Sequence, residues 1–377
     1  MHIGVDARLL SEPITGIGRY TFELSKKLTR IPNSIFSFYT PESPAIEVAQ
    51  SLQPSLFQSA SSYNRWSKMV WSQTILPYWA KNDEIDLFWG TTHRLPWLLP
   101  NSIARVVSIH DLVWKFAPQT MRPLSLWMEK RLMPEAIALA DLVMVDSQST
   151  ASGIAEVFPQ FADKVRVVHL GVTILDNSSE PVLSELNIIK PYFLFVGTIE
   201  PRKNLEYLLE AFALIPKSYR RQFSLVISGG KGWGGVEIEK LIRAYELNDS
   251  VNLLGYVTDQ QLAILYSNAR FLAMPSLYEG FGLPLLEAMQ YGTPVLTSHS
   301  GSMSEVAADG GVLIDPYSVE SISAGIQRML VEDDLIKDLS IKALRRAQDF
   351  SWDKCAAETM TVFEEALALR DIRLSRS

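Results

Sequence analysis

The sequence predicts an α/β protein of two doubly wound, parallel-sheet domains. Three observations carry this. Short apolar runs alternate with helical stripes along most of the chain. Most of those runs end at Gly or at a polar pair, as strands of a parallel sheet do. The alternation lapses once, at 172–190, and then restarts. A length of 377 residues suits two domains.

The first strand is expected at 2–7. Thr15-Gly16-Ile17-Gly18-Arg19-Tyr20 breaks the chain, and Tyr20, Leu24 and Leu28 then fall at helical spacing. Further strands are expected at 35–39, at 85–89 before Gly90, and at 104–109 before His110-Asp111. Two more follow, at 142–145 before Asp146-Ser147 and at 165–169 before Gly171. Residues 176–181 read as a solvated linker. Beyond it lie strands at 192–196 before Gly197, 223–227 before Gly229-Gly230, 251–254, 271–274 and 294–297. Leu205, Leu208, Leu209 and Phe212 form a helical stripe among them. The domains are therefore expected at 1–175 and 190–350. A C-terminal helix at 351–377, with Phe363 and Leu367 on one face, is placed to pack back across the hinge. Ligands of such sheets lie beyond the carboxyl ends of the strands, so the expected site is the cleft between the domains.

Composition narrows the function classes. Hydrophobic residues make up 47% and charged residues 20%, which excludes a disordered chain or a disulfide scaffold. One cysteine, Cys355, fits a reducing compartment. Met1 to Asp6 lacks the basic and apolar regions of a signal peptide, and no run of about 18 apolar residues occurs; a cytoplasmic location is expected. Lys plus Arg is 35 and Asp plus Glu is 42, a balance of −7 that argues against nucleic acid as a partner. Residues 65–80 and 114–131 nonetheless mix Trp with Lys and Arg. That mixture is read either as core tryptophans on amphipathic helices or as peripheral contact with an anionic bilayer.

Four segments carry candidate chemistry. In Tyr278-Glu279-Gly280-Phe281-Gly282-Leu283-Pro284, Pro284 suits a helix's first turn and Gly292 the residue after its end. The loop before that helix can offer backbone N–H groups to anions and hydroxyls. Glu279 lies in the loop and Glu287 one turn into the helix, giving two carboxylates at one helix end. In Gly197-Thr198-Ile199-Glu200-Pro201-Arg202-Lys203-Asn204, adjacent cations precede a helix, where the macrodipole disfavours them. An anionic diphosphate supplies a reason for them. His110 closes a strand, either as a structural histidine or as a ligand and proton carrier. Gly16 and Gly18 make half of a dinucleotide fingerprint whose third position is Thr21. Asp-x-Asp, Walker and metal-binding His or Cys patterns are absent, so no cofactor or metal is expected.

Together these segments resemble the retaining glycosyltransferases of family 4, whose GT-B fold pairs two Rossmann-like domains across a cleft. Glu279 and Glu287 match that family's E-x7-E motif. Arg202 and Lys203 match its diphosphate segment, Gly16 and Gly18 its first Gly loop, and His110 its cleft histidine. The resemblance implies an acceptor-binding domain at 1–175 and a nucleotide-sugar donor domain at 190–350. It implies that Glu279 and the backbone of Gly280, Phe281 and Gly282, running into Leu283, hold the donor sugar. Arg202 and Lys203, with Thr198 and Gly230 in the adjoining loops, would meet the diphosphate. Glu287 would bind ribose hydroxyls, Tyr256 and Val257 the base, and His110 the sugar near its C6 hydroxyl. The combined motifs look most like bacterial mannosyl- and rhamnosyltransferases of polysaccharide assembly. That implies GDP-mannose as donor and a glycan or lipid-linked acceptor. Other readings on the same residues are a relative using a UDP- or ADP-sugar, a nucleotide-sugar epimerase, an NAD(P) oxidoreductase built on Gly16 and Gly18, and a non-catalytic sugar-binding module.

Overall fold

The computed structural model describes residues 1–11, 14, 16–60, 65–175, 183–234 and 237–375, without the side chains of 65–67 and 184. Thr15, the expected linker at 176–181 and the side chain of Trp66 lie outside the described residues.

The chain divides into two compact units. The first comprises Met1–Leu112, Leu124–Gly171 and Ser351–Ser377; the second comprises Val113–Pro123 and Val172–Phe350. The second unit thus includes 113–123, a stretch expected in the first domain. The reason is local packing: Val113 and Ala117 are buried with Tyr278, and Phe116 stacks on the Tyr278 ring with centroids 5.5 Å apart.

The first unit holds a seven-stranded sheet: β1 (His2–Asp6), β2 (Ile35–Thr40), β3 (Leu56–Ser59), β4 (Leu87–Gly90), β5 (Ala104–Ile109), β6 (Leu142–Val145) and β7 (Val165–Val167), in the order β3-β2-β1-β4-β5-β6-β7. The second holds six: β8 (Tyr192–Val196), β9 (Ser224–Ser228), β10 (Val251–Gly255), β11 (Leu272–Met274), β12 (Val295–Ser298) and β13 (Gly311–Ile314), in the order β10-β9-β8-β11-β12-β13. All the strand pairs are parallel.

Two strands depart from the sequence reading. β3 is an edge strand with no fully buried residue, so it lacks an apolar run. β13 starts at Gly311 directly after Gly310, where the glycine pair reads as a turn. Most of the remaining strands are buried runs because helices cover both faces of each sheet; every residue of β5 and β6 is buried, while β7 and β10, at the sheet edges, are partly exposed.

Helix packing follows the predicted stripes. The helix Ile17–Leu28 buries Tyr20, Leu24 and Leu28. The last helix, Trp352–Ser375, belongs to the first unit, and its fully buried Phe363 lies 5.7 Å from the Trp89 ring. In the second unit Leu205, Leu208, Leu209 and Phe212 pack on Phe193 and Phe195 of β8. Each such side chain contributes about 1.5–3 kcal/mol of burial. Trp71 is also fully buried, so it is core and not a bilayer anchor. No helix among the described residues is long and apolar enough to cross a membrane.

In each sheet the strand order reverses once, between β1 and β4 and between β8 and β11. Connections leave such a point in opposite directions and open a crevice at the carboxyl ends of the strands.

Candidate active site

At the reversal in the second unit, the loops after β8 and β11 carry the two strongest sequence segments. The β8 loop passes through a short turn, Pro201–Lys203, and reaches the next helix through Asn204, whose φ is 58°. Asparagine tolerates that left-handed conformation. Its Nδ2 fixes the turn by donating to the carbonyls of Pro275 (3.1 Å) and Pro316 (2.7 Å). Leu277 N donates to Arg202 O at 2.8 Å, so the two loops are joined along their backbones.

Arg202 and Lys203 converge on one carboxylate. Lys203 Nζ donates to Glu279 Oε1 at 2.6 Å, and Arg202 Nη1 donates to Glu279 Oε2 and, at 3.1 Å, to the carbonyl of Tyr278. Arg202 Nη2 also pairs with Glu200 at 2.7 Å. Lys203 and Glu279 are buried, at 8% and 7% exposure. Burial alone would raise the Glu279 carboxyl, but the adjacent Arg202 and Lys203 charges overcome it and hold the group down to about 2. The anion that justifies two cations before a helix is therefore already present within the chain. Their charge sums to zero, two cations against Glu200 and Glu279. A diphosphate arriving here has to take the cations from those carboxylates.

Glu279 is held on its other side. Ser302 Oγ donates to its carbonyl at 3.0 Å, and a Cβ at Gly301 would sit 2.7 Å from the same oxygen. The loop then runs through Gly280 to Gly282, whose φ of 97° begins the helix Leu283–Gln290. Pro284 lies in its first turn, and Gly292 follows its end at φ 73°. Phe281 is buried edge-on against Phe350 at 5.8 Å, so its side chain is core and only its backbone belongs to the loop. Glu287 is buried and accepts a hydrogen bond from the Tyr266 hydroxyl at 2.9 Å. The two glutamates thus have separate partners.

Beside this cluster the loops after β8, β9 and β10 are stitched together. Gly197 N donates to Ser228 O at 3.0 Å, Ile199 N to Gly230 O at 3.0 Å, and Gly229 N to Gly255 O at 2.8 Å. A Cβ at Gly229 would lie 1.9 Å from Gly197 O, so glycine is required there. A cavity of about 900 Å³ opens on these loops, lined by Gly230, Trp233, Glu239, Arg243 and Tyr256 among others. Thr198 and Tyr256 are exposed; Val257 is buried. Lys203 lies against the start of the β8 loop: a Cβ on Gly197 would meet its Cε at 3.4 Å.

In the first unit His110 follows β5 and is buried. Its Nδ1 lies 2.6 Å from Asp146 Oδ2 and its Nε2 2.9 Å from the Thr91 carbonyl. Burial would lower its pKa; the Asp146 carboxylate overrides this, with help from the Thr91 carbonyl and Asp111, and raises it. The Thr91 carbonyl can only accept, so Nε2 carries a proton, and the raised pKa favours a second proton on Nδ1 toward Asp146. A sugar hydroxyl at His110 would have to replace one of these partners. His93 Nε2 accepts from the His110 backbone N–H at 3.0 Å, which leaves its Nδ1 to face Glu129 at 3.4 Å. Gly16 caps the helix Ile17–Leu28 at φ 48° and ψ −116°, a conformation only glycine adopts readily. Gly18 is an ordinary helical residue whose nearest neighbour to an added Cβ is 3.5 Å away.

Residues 14–174 match the family described as "Glycosyltransferase Family 4", and residues 184–346 match "Glycosyl transferases group 1". The O-antigen chain mannosyltransferase B of Escherichia coli is 32% identical over 373 residues, covering 93% of this chain and 96% of that protein. The chain belongs to glycosyltransferase family 4. Among solved structures, the sucrose-phosphate synthase of Thermosynechococcus elongatus superposes with a TM-score of 0.76 at 21% identity, covering 97% of this chain and 99% of that one. WaaG, a glycosyltransferase of lipopolysaccharide biosynthesis, superposes at 0.74 and 17%, covering 96% and 99%. The fold is thus the GT-B type, and the chain is a glycosyltransferase.

Within this family-4 enzyme the structure joins Arg202, Lys203 and Glu279 directly, and Thr198, Gly230 and Tyr256 through the stitched loops. It gives Glu287 a partner of its own and keeps His110 within the first unit. Four side chains in these networks escaped the sequence reading: Asp146, His93, Tyr266 and Ser302. Asp146 had a usable signal. It and His110 each directly follow strands paired in register, Ile109 opposite Val145. Among the described residues, no cluster of His, Cys, Asp and Glu has a metal site's makeup.

Proposed function

We propose that this chain is a retaining hexosyltransferase that moves mannose from GDP-mannose to a hydroxyl of a glycan or lipid-linked acceptor. The observation that carries this reading is the convergence of Arg202 and Lys203 on the buried Glu279 at the strand-order reversal. Two preorganised cations suit a diphosphate leaving group. Glu279, released from them, is then placed to accept hydrogen bonds from the donor sugar. The name of the Escherichia coli relative supports mannose as the sugar and a surface polysaccharide as the product.

The proposed reaction is front-face. The bond from the sugar C1 to the diphosphate oxygen breaks while the acceptor oxygen bonds C1 on the same face. The acceptor's proton passes to the departing phosphate oxygen, so no protein nucleophile is used. Negative charge grows on that oxygen, and Arg202 and Lys203 stabilise it most in the transition state. They take the place of a metal ion. The nucleoside occupies the side of the 900 Å³ cavity formed by Gly230 and Tyr256, with Glu287 on the ribose. The enzyme works in the cytoplasm against the inner membrane face, where lipid-linked acceptors are presented. Exposed Leu124 and Trp127, beside exposed Lys130 and Arg131 on one helix, support that placement.

A thermal-shift panel of GDP, UDP, ADP and dTDP in the presence of chelator tests the donor. A ligand that binds only the folded chain raises its melting point. Stabilisation by GDP alone is the expected result. Stabilisation by UDP or ADP instead keeps the transferase and replaces the donor. A strict need for Mg²⁺ overturns the metal-free reaction.

A further inference from the structure

One buried tyrosine of the second unit has no part in the chemistry above. Tyr266, on the helix Asp259–Asn268, is fully buried, and its hydroxyl donates to Glu287 Oε2 at 2.9 Å. We propose that Tyr266 is a positioning residue for nucleotide recognition: it sets the orientation in which the Glu287 carboxylate receives the donor's ribose hydroxyls. The inference rests on the assignment of Glu287 to the ribose made above.

A glutamate side chain has three rotatable bonds, and a carboxylate at 7% exposure needs donors to remain ionised without a large desolvation cost. The phenol supplies one donor, to Oε2, and so restricts the orientation of the carboxylate. Tyr266 is itself held at its main chain and at its ring. Thr293 Oγ1 donates to the Tyr266 carbonyl at 2.5 Å. The Tyr266 ring stacks on Tyr291 at 6.2 Å with planes 18° apart, and the Tyr291 hydroxyl donates to Leu175 O at 2.9 Å. The helix carrying Tyr266 is closed at its start by a reciprocal cap between Thr258 and Gln261. Directly before that cap run Gly255, Tyr256 and Val257, the segment assigned to the base. One rigid helix therefore presents the base segment at its start and, two turns further on, the side chain that orients the ribose carboxylate. Base and ribose recognition are then coupled by this helix.

The test compares GDP with 2′,3′-dideoxy-GDP by calorimetry, with the matching UDP and ADP pairs alongside. Wild-type protein is expected to prefer the ribose form. Tyr266→Phe keeps the ring volume and removes one hydrogen bond to a charged group, so it is expected to raise the Kd of the ribose form about tenfold. It leaves the dideoxy form unchanged. In a double-mutant cycle, Tyr266→Phe adds no further loss to Glu287→Gln. Equal weakening of both ligands, or additive losses, overturns the inference. A wild type with no preference for the ribose form overturns the Glu287 assignment itself, a result separable from failure at Tyr266. Should Tyr266→Phe unfold, Thr293→Val frees only the main chain of Tyr266 and reads out on the same ratio. A reduced preference supports the positioning role, and an unchanged ratio overturns it.

Discussion

Each unit places a buried ionic cluster just beyond the carboxyl ends of two neighbouring parallel strands, β5 and β6 in one and β8 and β11 in the other. The clusters are built on opposite plans. In the first unit a single histidine, His110, is held at both ring nitrogens by its own surroundings, one carboxylate and one carbonyl. In the second, two cations share Glu279 at the strand-order reversal, where the proposed function has a diphosphate replace that carboxylate. Under the proposed function the two differ in whether a ligand displaces the internal partner: a diphosphate displaces Glu279 from its cations, whereas Asp146 keeps His110.

The largest expected effects fall on the second cluster. Arg202→Ala is expected to lower kcat by about 10²–10³, the usual loss of one transition-state donor, while moving substrate KM far less. Glu279→Gln breaks the comparison from the other side. It frees the two cations, so it should tighten nucleoside diphosphate binding while lowering turnover. Weaker diphosphate binding in that variant would mean that Glu279 does not compete for the cations. The same change has a stability cost with a defined pH window. The native carboxyl lies near 2, below its ordinary value near 4.5. Its contribution, of order 3 kcal/mol, is therefore present above about pH 4.5 and lost as the pH falls toward 2.

The first cluster should respond at the opposite end of the pH scale. His110 is raised, so its pairing with Asp146 stabilises the fold below the ordinary histidine value near 6.5 and fades as the pH rises through the native one. Asp146→Asn is expected to cost about 2 kcal/mol at pH 6 and clearly less at pH 9, measured by denaturant midpoints at both. An equal cost at both would show that His110 is neutral throughout. The buried Tyr20 ring packs edge-on against His110 with centroids 4.7 Å apart.

The uneven legibility of the two clusters in the sequence has a physical basis. Glu279, Arg202 and Lys203 were readable because each lies in a short run with Gly or Pro at fixed places, and those residue types are demanded by the local backbone. Gly282 at φ 97° and Pro284 in the first helical turn are examples. The strands were readable for a related reason, since burial on both faces leaves continuous apolar runs; the exposed edge strand β3 has none and went unread. The pairings were not readable. Asp146 lies 36 residues from His110 and Tyr266 lies 21 from Glu287, and nothing in the intervening sequence records that they meet. Sheet order and helix packing create those contacts. Likewise Arg202 and Lys203 called for an anion, but only the fold reveals that Glu279 already supplies it.

The smallest expected effect concerns the aromatic segments, and it divides along the same boundary between units. Trp127 belongs to the first unit and is 63% exposed. Trp114 belongs to the second and is half-buried, next to Val113 and beside Phe116, which stacks on Tyr278. Both were equally plausible bilayer residues by composition. If the first unit's exposed helix face meets the membrane, Trp127→Ala should reduce co-sedimentation with anionic vesicles at low salt by a few fold. Trp114→Ala should leave it unchanged while lowering the melting temperature of the second unit. An interfacial tryptophan and two cations contribute a few kcal/mol at most, and the cationic part is screened within a Debye length of roughly 8 Å at physiological salt. The Trp127 effect should therefore shrink as salt is raised but not vanish, because the apolar part of the contact is insensitive to ionic strength. Loss of all vesicle binding with salt, and none with Trp127→Ala, would assign any membrane attraction to charge alone and remove this helix face from it.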